Sequence, residues 1–580
     1  MKVRHIIGKR VHRSIVLVLL CALCVSVLRA AAPAMPARKK ARTTQKRSKK
    51  ADDKRVYLVH ADQLFYEKWR NNDATVLRGK VEFEHAGARL LCDSANFFEE
   101  SNSFAAFGNV RMYQGDTLSL VSDYGYYDGN DQLMQALQNV VLKHRGTTLY
   151  TDSLYYDRLW NMGYYQEGGK MVDKTTTLVS DWGEYHTDTK MAIFYYDVTM
   201  RDKNFTLTTD SLYYDTNLKL AHIVGPSDIV SGKSHIYSEL GYYNTQTEQG
   251  ELMQRSVLDN EGRKLTGDSL WYDGKTGVNE AFGNIVYTDT VNKNLLTGNY
   301  GYYDEHTGYA MCTDSARVVD FSQRDSLFMH ADTFKVFTYN KETDSVYRVI
   351  HAYNKVRAYR IDLQAVCDSL VYDQKDSCLV LYKDPIVWNQ NQQLLGEEIH
   401  VYMKDSVVDY AHVVNQAFSI EDLHEKDVFN QVSSHEMFAF FEKGDIHEAQ
   451  AKDNVLVVYY PEDDADSSFV GMVSMETSLL RMFMEQRKLQ RIWAPKSSGI
   501  MYPMTQIPPA KRYLEGFAWF DYVRPLSKDD IFVWRGKKPG TELKVQKRRQ
   551  TSAQRASRTP PRPVATNKTD AHEEATSIQP

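Results

Sequence analysis

Residues 149–157 read LYTDSLYYD, 178–186 LVSDWGEYH, 207–215 LTTDSLYYD, 236–244 IYSELGYYN, 265–273 LTGDSLWYD and 296–304 LTGNYGYYD. Asp152, Asp181, Asp210, Glu239 and Asp268 are spaced 29 residues apart, and Asn299 follows after 31. A fixed period of this size marks a repeat architecture, in which each unit hides its apolar face only against its neighbours. Asp-Ser-Leu at 152, 210 and 268 exchanges with an acid-x-Gly form at 181 and 239, so a double period of 58 overlies the single one.

Within residues 149–177, Leu154 and Tyr156 alternate with Ser153 and Tyr155, and β-branched and aromatic residues are dense, the pattern of a strand. A polar turn at 157–161 leads into a second extended run, which elsewhere carries Gly108-Asn109-Val110 or Gly283-Asn284-Ile285. Each unit therefore supplies two strands joined by turns, and neighbouring strands run antiparallel. Leu149 lies five residues before Leu154, an odd offset, so the alternation slips near Thr151-Asp152. Gly and Asn tolerate positive φ and mark a bend on the other strand. Bent antiparallel strands stack into two facing sheets joined along a fold. The expected class is all-β: an elongated jellyroll or taco of about 14 repeats of roughly 29 residues, with a short C-terminal helical cap.

Working outward, basic residues up to Arg13 precede an apolar run from Ile15 to Leu28 and the small residues Ala30-Ala31-Ala32. That is the form of a secretory signal peptide over 1–32, and the run is short of the about 20 residues of a membrane span. A basic linker covers 33–55. Regular repeats occupy 56–335, with anchors that include Asp62, Asp93 and Asp123, and less regular ones 336–495, with Asp332, Asp368 and Glu398 continuing the series. Degenerate units follow around Glu436 and Glu476. The second has the look of an amphipathic helix, but Glu485-Gln486-Arg487-Lys488 reads as a hairpin turn like that at 442–445. Only Pro226 and Pro385 interrupt residues 38–459, as a continuous hydrogen-bonded sheet requires. Prolines return in a predicted C-terminal cap, 496–540, where 508–532 is expected to hold a short helix that closes the stack. The tail 541–580 is nearly devoid of apolar residues and reads as disordered.

Formal charge is −4, which makes nucleic acid an improbable partner, and the 38 tyrosines suit β-structure. Carboxylate pairs such as Asp152/Asp157, Asp210/Asp215, Asp268/Asp273 and Asp368/Asp373 suggest acid/base chemistry or calcium at first sight. A catalytic pair occurs once, whereas these recur in register. The first Asp is expected to tether the bend and the second to open a turn through side-chain to backbone hydrogen bonds. His424, His435 and His447 match no metal spacing. No enzyme, cofactor or metal is expected. Cys92, Cys312, Cys367 and Cys378 are too few for a disulfide scaffold, although Cys367 and Cys378 are placed to pair across a hairpin in an oxidising compartment.

If the two sheets are wedged apart, their inner faces form an apolar groove. Each methylene buried there contributes about 0.8 kcal/mol. Alternation nominates Leu154, Tyr156, Leu212, Tyr214, Leu270 and Tyr272 from one strand set and Val110, Met112, Ile285 and Tyr287 from the other as the groove lining. The competing reading is that they fill a closed, dry core, as in a structural or adhesive β-repeat protein. The repeated Leu-x-x-Asp-x-Leu-x-Tyr, the Gly-Asn-Val strand and the signal peptide resemble the OstA/LptA family of periplasmic lipopolysaccharide-transport proteins over about residues 56–495. The sequence beyond that resembles the end of the long OstA-like proteins of the Bacteroidetes type. The resemblance implies a periplasmic, membrane-associated jellyroll that binds the acyl chains of lipopolysaccharide or another acylated lipid. It also implies end-to-end β-strand addition with other transport proteins.

Overall fold

The computed structural model describes residues 54–66, 74–341, 343–404, 407–442, 445–463, 468–485 and 488–541. The signal peptide, most of the basic linker and the tail after Thr541 lie outside these residues. Most of those described form one antiparallel sheet of 42 strand segments; long strands pair with their neighbours in chain order, and where a long strand is split, each half pairs on its own side of the fold. No described helix is long and apolar enough to cross a membrane.

Each unit is a pair of long strands, such as Ser103–Gln114 and Leu118–Asp128. Both strands fold at their middles. Phe107 pairs with Tyr124 and Val110 with Ser122, so the first strand carries one residue more across the fold. Such a bulge bends a strand. The extra residue sits in a left-handed pair: Gly108 and Asn109 at φ 75° and 48°, then Gln138/Asn139, Gly283/Asn284, Asn354/Lys355 and Asn415/Gln416 further on. These pairs form a seam. On one side lie residues 103–107 and 124–128, the left wing; on the other lie 110–114 and 118–122, the right wing. The wings face each other, since Phe83 of the right wing stacks on Phe104 of the left at 4.1 Å although their strands do not pair.

The anchor acids hold the seam. Asn109 Nδ2 donates to Asp93 at 2.7 Å, Asn139 to Asp123 at 2.6 Å and Asn284 to Asp268 at 2.7 Å. Glycine precedes two of these asparagines because a Cβ at Gly108 would lie 2.6 Å from the Asp93 carboxylate, and one at Gly283 would lie 2.5 Å from that of Asp268. The second acids open the turns: Asp157 accepts from the N–H groups of Leu159 and Trp160, Asp215 from Asn217 and Leu218, and Asp273 from Lys275 and Thr276. The turn-opening role holds for all four paired second acids, Asp373 included, whereas among the paired first acids the asparagine tether is seen at Asp268 and a Lys383 contact at Asp368.

Three expectations need correcting. In the later units the seam residue is Glu397, bonded to Asn415 at 3.0 Å, rather than Glu398; His435 rather than Glu436 donates its N–H to the next bend. Cys367 and Cys378 are free buried thiols. Cys367 ends a right-wing strand at the seam, whereas Cys378 starts a left-wing strand paired with Asp373 and Tyr402, away from the seam. The predicted C-terminal helix is instead a series of three-residue 3-10 turns, Met504–Gln506, Pro509–Lys511, Asp521–Val523 and Asp530–Phe532. Prolines at 503, 508, 509 and 525 deprive this segment of the N–H groups a longer helix needs. The hairpin reading of the last repeats holds, with Met472–Glu485 paired to Lys488–Trp493 and Glu485 opposite Lys488.

Candidate functional site

One repeated position divides the sheet into two sections. The tyrosine four residues after each anchor points inward at the left rim, where the wings are farthest from the seam. Tyr127, Tyr156 and Tyr214 are 0 % exposed and Tyr185 is 2 %. Three of them close the gap to the right wing. Arg158 donates to the Tyr127 hydroxyl at 2.7 Å, and that hydroxyl shares a hydrogen bond with His85 Nδ1 at 2.7 Å. Tyr185 meets His144 Nδ1 at 2.9 Å, and Tyr214 donates to Asp173 at 2.9 Å, where Lys219 adds an ion pair at 2.6 Å. Burial pushes the pKa of each of these phenols up, so they remain neutral donors.

Between these bridges and the seam, residues 75–230 are filled. Leu77, Phe83, Leu90, Phe104, Met112, Leu154, Leu212 and Ile223 belong to one continuous cluster, each about 1 % exposed or less. Large and small residues interlock there. The Tyr165 ring lies where Cβ atoms at Gly169 and Gly183 would be, within 2.6 Å of its carbons. The acid-x-Gly form of the double period thereby makes room for a neighbour's side chain.

Beyond Ile229 the same positions open. Tyr243 still meets Phe205 edge-on at 4.6 Å, but Tyr272 is 37 % exposed and Tyr303 42 %. Inner-face burial now falls off from seam to rim along each strand. Leu381 is buried and Leu379 half-buried; Ile399 is buried, Val401 and Met403 half-buried; Leu480 is buried, Met482 and Met484 half-buried. On the right wing Val356 is buried and Leu363 half-buried. The inner face of this section is thus apolar, most buried at the seam and least buried at the rims.

The ten lining residues nominated from the sequence fall on both sides of this division. Val110, Met112, Leu154, Tyr156, Leu212 and Tyr214 lie in the filled section, at 2 % exposure or less, with no face open to a ligand. Leu270 and Ile285 sit low in the open section near Ala281, while Tyr272 stands at its left rim and Tyr287 half-buried on the right wing. The later part of this section, including the half-buried Leu379, Val401, Met403, Met482 and Met484, carries no nominated residue because repeat spacing loosens after Asp332. Among the described residues no group of three or more His, Cys, Asp or Glu is placed to hold a metal ion. Burial pushes the Cys92, Cys312 and Cys367 thiols up to about 12, far from the range of a reactive thiolate.

Residues 53–210 and, overlapping them, 196–268 match the family model of OstA-like protein. Over residues 53–268 the chain therefore carries the OstA-like pattern, which belongs to a transport and binding class of β-structure. No curated protein matches the chain.

Proposed function

We propose that this chain is a lipid carrier of the cell envelope that holds acyl chains in the open section, with lipopolysaccharide as the cargo the OstA-like match favours. The observation that supports this reading is the graded burial of the inner faces from Ile236 onward, where aliphatic and methionine side chains stay half-buried toward the rims. Chains laid there contribute about 0.8 kcal/mol per methylene, and a polar headgroup stays in water at the rims. Leu270, Tyr272, Ile285 and Tyr287 begin the lining, and Leu379, Val401 and Met403 continue it. The closed-core alternative is favoured by residues 75–230 taken alone, which act here as the rigid section of the carrier.

Both ends of the sheet suit strand addition by related transport proteins in the periplasm. At one end Tyr57–His60 and Gln63–Phe65 pair only with Thr75–His85 among the described residues, and Val59, Leu64 and Phe65 are exposed. At the other, Ser498–Tyr502 pairs only with Met472–Glu485 among the described residues, and Ile500 is 59 % exposed.

The test is native mass spectrometry of the full chain purified from its own envelope, followed by lipid extraction. An acylated glycolipid should accompany the wild-type protein and be lost from the Leu379→Asp/Val401→Asp variant, whose filled section stays folded. A lipid-free protein that also ignores added lipopolysaccharide would end this reading.

A further inference from the structure

The C-terminal segment does not close the end of the sheet. It turns back and runs down the outer face of the right wing, over the open section. Ile507 packs with Val458, Tyr460 and Met472. Further along, Phe520 and Val523 cover an apolar stripe of Val366, Ile386, Trp388, Leu395, Phe418 and Ile420, each at most 7 % exposed. These stripe residues alternate with Ala365, Val387 and Leu394, which belong to the inner core, so they point outward. In the filled section the equivalent outward positions carry Arg111, Tyr113, Lys143 and Lys170. The right wing buries on its outside what the groove prevents it from burying within.

Three buried glutamines hold the segment, and two of them grip its main chain. Gln431 donates to the Arg512 carbonyl at 2.8 Å and accepts from the Leu514 N–H at 2.9 Å. Gln393 repeats the grip, donating to Ala518 at 2.9 Å and accepting from Phe520 at 2.8 Å. Gln364 accepts from the Arg524 guanidinium at 2.7 Å. At the far end Arg357 donates to the Ile531 carbonyl, and the Phe532 ring lies 4.7 Å from His330. The contacts therefore descend the sheet in order, from Tyr460 to His330. None of them is a ladder bond of the sheet, so the segment can leave without breaking a strand pairing.

A two-point amide grip on an N–H and a carbonyl two residues apart is how a protein holds an extended peptide irrespective of its side chains, while apolar pockets supply the selectivity. We propose that this outer face is a peptide-binding site, that residues 508–535 are its intramolecular ligand, and that their docking braces the right wing where the groove leaves its inner face open. The ligand class is a proline-containing peptide of turn-rich, irregular backbone with an aromatic side chain at the Gln393 grip.

The test is hydrogen exchange on lipid-free, full-length protein, so its outcome does not depend on whether the groove carries lipid. In Phe520→Asp/Ile531→Asp, amides of Ile386–Asn389, Gln392–Leu395 and Ala417–Asp422 should exchange at least tenfold faster, while Ser103–Gln114 is unchanged. A synthetic peptide of residues 508–535 added in excess should restore protection, and the same peptide carrying Phe520→Asp should not. The milder Gln393→Leu/Gln431→Leu variant keeps the apolar contacts and should show a smaller acceleration over the same strands. Unaltered exchange in both variants would overturn the brace, and failure of the wild-type peptide to restore protection would overturn the binding site.

Discussion

Residues 75–230 and 236–485 are built from the same bent strand pair, yet the inner face of the first is buried out to its rims and that of the second loses burial from seam to rim. The seam is alike in both: Asn109 on Asp93 in one, Asn284 on Asp268 in the other. The difference arises at the rims. Where a tyrosine reaches a histidine or aspartate on the opposite wing, the wings are held at core-packing distance and everything between them is buried. Where no such bridge forms, as at Tyr272 and Tyr303, the rim tyrosine is exposed and burial decays outward. A repeat fold can thus change from scaffold to container by altering the residues at its edge while the motif that bends its strands stays the same.

The largest effect that sharpens this contrast comes from deleting matched aromatic or aliphatic bulk. Phe104→Ala, in the filled section, removes a ring stacked on Phe83 and should cost about 3–5 kcal/mol of local stability. Leu379→Ala, half-buried in the groove, should cost about 1 kcal/mol, because its site is already open to water. Hydrogen exchange read strand by strand compares the two, since a long repeat array need not melt in two states. Equal losses would break the comparison.

A smaller effect is expected from adding bulk. Gly183→Val drives a side chain into the Tyr165 ring, whose Cζ would lie 2.6 Å from the new Cβ, and should destabilise by about 1–3 kcal/mol. Gly301→Ala meets only the flexible end of Ile285 at 3.3 Å and should fall within about 0.5 kcal/mol of wild type. Urea unfolding followed at each section would show the asymmetry. Similar tolerance at both glycines would argue against interlocked packing.

The smallest effect is a pH dependence of the rim bridge. Burial, helped by the nearby charges of Arg145 and Lys190, holds His144 below the ordinary histidine value. In the unfolded chain the ring titrates near about 6.5. A depressed folded value means that the contribution is present above that pH and lost as pH falls through it, because the unfolded state then binds the extra proton. The filled section should therefore weaken between about pH 7 and pH 5, and His144→Asn should flatten that slope in thermal melts monitored at the section's tyrosines.

Much of this was legible in the residues. The 29-residue period, the odd offset from Leu149 to Leu154 and the Gly-Asn pairs specify folded antiparallel strands, because left-handed backbone and a shifted alternation have few other outcomes. The second acid of these units opens its turn as its spacing says, and Asp268 tethers its bend. Even the loss of the bridge leaves a trace: Ser231 stands 41 residues before Tyr272, the separation that places Asp173 before Tyr214, and a serine side chain is too short to span the rims. That trace has meaning only once the 41-residue offset is known to connect opposite wings.

What the sequence by itself determined is the repeat, its bend and its local hydrogen bonds, all of which act over a few residues or between adjacent strands. What only the tertiary structure decided is which Leu and Tyr are fully buried and which stand partly exposed. The same motif occurs in both settings, and the distance between wings depends on side chains some 40 residues away. The path of the C-terminal segment is of the same kind. Its prolines and aromatics announce irregular, partly buried chain, but Gln364, Gln393 and Gln431 lie 81 to 160 residues from the groups they hold. Contacts at that separation leave no local pattern, because the burial and bonding that favour them exist only after the sheet has formed.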